Sequence, residues 1–131
     1  MSKNIKVLII DDDEVNNYLC SRIINLSEFS QDVHTCTNAT DGLAYLKSLS
    51  ADELPDIIFL DINMPIKTGW DFLDEYNKLG ELTDKNIQIY MLSSSVYEED
   101  ISRAKGIPMV QDYISKPLSE ELLQHIKKTY F

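Results

Sequence analysis

The sequence predicts a doubly wound α/β domain, a parallel sheet of five strands with helices on both faces. Three observations carry this. Short β-branched apolar runs alternate with amphipathic runs of helical spacing from end to end. The runs Ile5–Ile10 (IKVLII) and Asp56–Leu60 (DIIFL) are mostly apolar without alternation, as strands buried on both faces should be. No linker, repeat or low-complexity stretch separates the units.

Ile5–Ile10 is the first strand. Val15, Tyr18, Leu19, Ile23 and Leu26 then recur at helical spacing and predict a first helix over 14–27, with these side chains on its buried face. Asp32–Cys36 (DVHTC) reads as a shorter, more polar strand at a sheet edge. Asn38 is placed to cap a second helix reaching about Leu49, with Leu43, Leu46 and Leu49 on one side. Pro55 breaks the chain before the third strand, Asp56–Leu60. Gly69–Leu79 predicts a third helix carrying Trp70, Leu73 and Tyr76, and Ile87–Leu92 (IQIYML) a fourth strand. Ser95-Val96-Tyr97-Glu98 has the form of a capping box and opens a fourth helix that ends at Gly106. Met109–Ile114 is the fifth strand, and polar Gln111 and Asp112 put it at the other edge. Ser119 caps the last helix, with Glu120 and Glu121 in the first turn, where the helix dipole favours acid. Leu122, Leu123, Ile126 and Tyr130 supply its buried face.

Composition narrows the function. The chain has 131 residues, which predicts one domain over 1–131, and 22 acidic against 12 basic residues, a net charge of −10. That balance excludes a nucleic-acid footprint and a polybasic membrane anchor, both of which need a basic patch. No apolar run approaches the roughly 20 residues of a transmembrane helix. The N-terminus, MSKNIKV, does not read as a signal peptide, so a cytoplasmic protein with reduced Cys20 and Cys36 is expected.

In a doubly wound sheet, ligands bind beyond the carboxyl ends of the strands. Asp11, Asp12 and Asp13 follow the first strand. Asp61, leading into Ile62-Asn63-Met64-Pro65, follows the third. Ser93, Ser94 and Ser95 follow the fourth, and Ser115, Lys116 and Pro117 the fifth. Converging, these make a site of carboxylates, hydroxyl and ammonium. Two carboxylates about 4 Å apart repel by roughly 4 kcal/mol at an effective dielectric of about 20, so such a cluster needs a counter-charge. An all-oxygen donor set favours Mg²⁺, Mn²⁺ or Ca²⁺ over zinc. Lys116 is suited to a phosphate oxygen and Ser93 to a second, while a carboxylate among them can attack phosphorus. A cis Lys116–Pro117 peptide would aim the ammonium back into the site. Taken singly, each feature has a plainer reading. Asp13 and Asp41 suit caps or turns, Trp70 and Tyr76 suit packing, and His34 and His125 have no partner implied by spacing. The order and spacing of the whole set are what point to phosphoryl chemistry.

The set Asp11-Asp12, Asp61-Ile62-Asn63-Met64-Pro65, Gly69, Ser93-Ser94 and Tyr113-Ile114-Ser115-Lys116-Pro117 resembles the response-regulator receiver domain, of the single-domain kind related to the chemotaxis response regulator. The resemblance spans essentially the whole chain. It implies a flavodoxin-like sheet of order 2-1-3-4-5. It implies a non-enzymatic signalling switch, phosphorylated at Asp61 by a histidine kinase or a histidine phosphotransfer protein. Asp12, Asp61 and the backbone carbonyl of Asn63 would bind Mg²⁺ directly and Asp11 through a metal-bound water. Ser93 would hydrogen-bond the phosphoryl group and Lys116 would pair with it. Tyr113 falls at the aromatic position that couples to Ser93. The family more often has alanine where Ser94 stands; serine is still small enough to leave the approach open. The chain ends soon after the fifth helix, so output is expected through a protein target or onward phosphoryl transfer. A mixed polar face carrying Tyr97, Glu98, Glu99, Arg103, Tyr113 and Lys127 is the expected contact surface.

Two other classes compete. A haloacid-dehalogenase-like phosphatase also uses a nucleophilic Asp with Mg²⁺, but wants a second acid two residues on, where Asn63 stands. A flavodoxin-like FMN carrier needs a hydroxyl- and glycine-rich phosphate loop after the first strand, where three aspartates would repel the phosphate.

Overall fold

A computed structural model describes residues 5–79, 86–94 and 97–131. Five parallel strands, β1 (Lys6–Ile10), β2 (Asp32–Cys36), β3 (Ile57–Asp61), β4 (Gln88–Ser93) and β5 (Val110–Ser115), form one sheet. The order is β2-β1-β3-β4-β5, with the two polar strands at the edges as expected. Between and after them run α1 (Glu14–Leu26), α2 (Ala39–Ser48), α3 (Gly69–Asn77), α4 (Glu98–Lys105) and α5 (Glu120–Tyr130).

Apolar side chains on alternate positions of the central strands feed two cores. Ile9, Phe59 and Leu92 pack with Cys20 and Ile24 of α1 and Leu123 and Ile126 of α5. Ile10, Leu60 and Met91 pack with Leu43 and Leu46 of α2, Trp70 and Phe72 of α3 and Ala104 of α4. This two-sided burial is why β1 and β3 read as nearly unbroken apolar runs.

The strands end one residue later than the sequence suggested at three places. Asp61, Ser93 and Ser115 are the last residues of their strands, so the main chain that carries the Asp61 and Ser93 side chains belongs to the sheet rather than to the loops. Trp70 and Tyr76 are packing residues, with the Arg103 guanidinium 4.5 Å over the Trp70 ring. Ser95 and Val96 of the expected capping box lie outside the described residues, and α4 has Tyr97 at its N-cap with no side-chain cap, so Glu98 is the first helical residue rather than the third that the box requires. Gly106 ends α4 in right-handed geometry, its N–H donating to the carbonyls of Ser102 and Arg103.

Several helix expectations need correction. The face of α1 toward the sheet is Asn17, Cys20 and Ile24, while Val15, Tyr18, Leu19 and Leu26 face outward; only Ile23 of the expected set is half-buried. The physical reason is polar. Asn17 is drawn inward because its amide donates to the Asp11 carbonyl at 2.8 Å and the Cys36 carbonyl at 3.5 Å, and that anchor sets the helix rotation. Tyr130 of α5 is exposed and accepts from Gln111 Nε2 at 3.0 Å. Asp41 is not itself a cap: Asn38 caps α2 by accepting from the Asp41 N–H at 2.7 Å, and its amide donates to the Asp41 carboxylate. Lys127 turns away from the expected contact face and donates to the Glu28 carbonyl. His34 does have a partner, as its ring stacks on Tyr45 with centroids 3.8 Å apart.

Candidate functional site

The carboxyl ends of β1, β3, β4 and β5 meet at one edge. Asp11 follows β1 and is completely buried. Asp61 closes β3 and is almost so, while Asp12 is exposed at the mouth. One oxygen from each of these three lies within 4.8 Å of the others. Lys116, after β5, enters from the far side. Its Nζ stands 2.8 Å from Asp11 Oδ2 and 3.3 Å from Asp61 Oδ1. The Lys116–Pro117 peptide is cis. Lys116 is also tied through its backbone, whose N–H donates to the Ser93 carbonyl at 2.9 Å. Ser93 is buried at the end of β4, paired across the sheet with Ser115. Ser94 and Asn63 are exposed.

Gly69 closes the floor. Its N–H donates to the Ile62 carbonyl at 2.8 Å, and a Cβ there would sit 2.5 Å from the Asp61 carbonyl oxygen. Only glycine permits this approach. Thr68 caps α3 immediately before it, in a reciprocal box with Asp71. Tyr113 is half-buried against the core beside β4, where it pairs with Met91, two residues before Ser93.

The electrostatics show a pocket short of positive charge. Burial, then the Asp11 carboxylate, push Asp61 from its ordinary value of 3.8 up to about 7, although Lys116 pulls the other way. Burial disfavours the Lys116 charge. The hydrogen bond to Asp11 and the charges of both acids outweigh it, and Lys116 stays above its ordinary value. Three hard oxygen donors this close, with one of them driven toward protonation, fit a divalent cation such as Mg²⁺. Cys20 and Cys36 are free and buried, and burial pushes each thiol to about 11, so neither is a reactive thiolate.

Sequence reasoning passed over Asn16 and Asn17. Asn16 Nδ2 donates to Asp11 Oδ2 at 2.7 Å, and Asn17 grips the Asp11 carbonyl. The available signal was two consecutive amides in the first turns of the helix that follows the aspartates.

A parallel doubly wound sheet with clustered carboxylates and a lysine at its carboxyl edge is an arrangement suited to phosphoryl chemistry. The response regulator receiver domain family matches residues 7–127, and the chain belongs to it. Its acidic pocket is the kind typical of a phosphoacceptor aspartate, and the family places it in two-component signalling. The chain is 32% identical over 123 residues to the sensor histidine kinase CheAY of Helicobacter pylori, covering 93% of this chain but only 14% of that protein. It is 30% identical to a two-component response regulator from Cytophaga hutchinsonii, with 96% of each chain covered and a TM-score of 0.89. A phosphorylated cyanobacterial phytochrome response regulator, RcpA, is 27% identical over 96% of this chain and 90% of its own, with a TM-score of 0.74.

Proposed function

We propose that Asp61 accepts a phosphoryl group in a divalent-cation-dependent reaction, and that the whole 131-residue chain works as a cytoplasmic switch or relay rather than as an enzyme. The observation that carries this is the meeting of Asp11, Asp12 and Asp61 within 4.8 Å, with Lys116 as the counter-charge. Mg²⁺ held by Asp12, Asp61 and the Asn63 carbonyl, with Asp11 one water further out, would neutralise the pocket for an anionic donor. An Asp61 oxygen attacks phosphorus while the donor's phosphorus–nitrogen or phosphorus–oxygen bond breaks, and the leaving group takes the electron pair. For this Asp61 must be ionised, which the metal-free pocket resists near neutral pH. Lys116, already beside Asp61, would pair with the arriving phosphoryl oxygens, and the Ser93 hydroxyl would turn toward them. In that movement Ser93 vacates space that Tyr113 turns inward to fill, which reshapes the surface of α4, β5 and α5 for a protein target.

Receiver domains take phosphoryl groups from histidine kinases, and a histidine kinase or histidine phosphotransfer protein is the donor class proposed here. The outward apolar face of α1 supports that reading. Leu19 and Leu26 flank a groove that runs to Pro117, the residue after Lys116. A partner resting on Leu19 would therefore lie beside the site. A small acyl-phosphate donor tests the chemistry without a partner. Phosphoryl incorporation should need a divalent cation and vanish in Asp61→Asn; incorporation undiminished by chelator would overturn the proposal.

A further inference from the structure

An ionised carboxylate has about four lone-pair positions. In Asp11, Oδ2 accepts from Asn16 Nδ2 at 2.7 Å and from Lys116 Nζ at 2.8 Å, and is filled. Among the described residues Oδ1 accepts only from the Asp13 N–H, at 2.9 Å, which leaves it one position for a cation or its water. The carboxylate's rotation is thereby fixed, with Oδ2 engaged by two donors and Oδ1 left with room for one more.

Lys116 is a poor guardian of that rotation, because it is shared with Asp61 and is the group proposed to pair with the phosphoryl oxygens. Asn16 has no such second duty toward the phosphoryl group. It stands in the first turn of α1, behind an N-cap in which Asp13 accepts from the N–H groups of Val15 and Asn16. Its neighbour Asn17 holds the Asp11 main chain through the carbonyl. The amide is neutral, so it orients Asp11 without adding positive charge that would repel a cation, as an arginine or lysine there would.

We infer that Asn16 is a positioning residue: it saturates Asp11 Oδ2, leaves Oδ1 as the oxygen with room for the cation or its water, and so sets the affinity for the divalent cation through the whole phosphorylation step. This rests on the metal reading proposed above.

The test is calorimetric titration of the metal-free full chain with Mg²⁺. Removing a group that orients a metal-facing carboxylate typically weakens binding tenfold or more, so Asn16→Ala should lose roughly that much. Asn16→Gln, which keeps the amide, should recover part of it. In an Asp11→Asn background Asn16→Ala should cost nothing further, a coupling that a merely structural role would not produce. Circular dichroism in chelator verifies that each variant is folded. Wild-type affinity in Asn16→Ala, or an undiminished loss in the Asp11→Asn background, overturns the role of Asn16 alone. Absence of Mg²⁺ binding by the wild-type protein overturns the metal reading and this inference with it.

Discussion

Replacing Asp61 with asparagine should make the metal-free protein more stable, and only above mildly acidic pH. Asp61 has a folded-state pKa of about 7 against an ordinary value of 3.8, because burial and the Asp11 charge oppose its ionisation. Below pH 3.8 the folded and unfolded chains both hold the proton and the group contributes no penalty. Between 3.8 and 7 the unfolded chain ionises first, so folding loses stability as pH rises, and above 7 the penalty is complete. At roughly 1.36 kcal/mol per pH unit the gap sets a ceiling of about 4 kcal/mol. Solvent at the open mouth of the pocket screens the charge and brings the expected value to on the order of 2 kcal/mol. For a chain of this length that is a rise in Tm of about 5–10 °C. Thermal unfolding in chelator, at intervals from pH 5 to pH 8.5, should show Asp61→Asn gaining steadily on the wild type and levelling off above pH 8. A difference of zero, or one that does not vary with pH, would refute the reasoning.

Three further expectations concern other parts of the molecule. Gly69→Ala brings a methyl 2.5 Å from the Asp61 carbonyl, so the backbone must yield; urea unfolding should show a loss of about 1–3 kcal/mol, with weaker Mg²⁺ binding. Leu19→Glu, on the exposed face of α1, should change stability by under about 0.5 kcal/mol and leave small-donor phosphorylation intact. It should slow transfer from a phosphorylated histidine protein at least about fivefold, the loss of one buried anchor; equal rates would show that α1 is not the docking face. Side-chain NMR of Tyr113 should respond to a phosphoryl mimic in the wild type and not in Ser93→Ala, and the same response in both, or in neither, would break the proposed coupling.

The sheet was legible because burial on both faces leaves a plain mark: β1 and β3 have almost no polar residues to misplace. Asp61 and Lys116 were legible for the opposite reason, since charged groups at the ends of apolar strands must serve something. The rotation of α1 was not legible. Hydrophobic periodicity favoured Leu19 and Leu26, whereas the deciding interaction was the Asn17 amide with two main-chain carbonyls. That partner exists only after β1 and β2 are paired. The role of Asn16 was hidden likewise, because asparagine near a helix start ordinarily signals a cap. Ile66 shows a third kind of failure. It turns the loop after Asp61 in the left-handed region, φ 70°, with the Lys67 N–H donating to the Pro65 carbonyl at 2.8 Å. A β-branched residue is the last type that residue preference would assign there.

The most direct test of the account is to locate the phosphoryl group itself. The protein is treated with a small acyl phosphate and Mg²⁺, the acyl phosphate on the protein is trapped by reduction, and the peptides are mapped by mass spectrometry. One modified residue, Asp61, is expected, and its modification is absent when chelator replaces Mg²⁺. Modification at Asp11 or Asp12 with Asp61 untouched, or an unchanged yield in chelator, would contradict it.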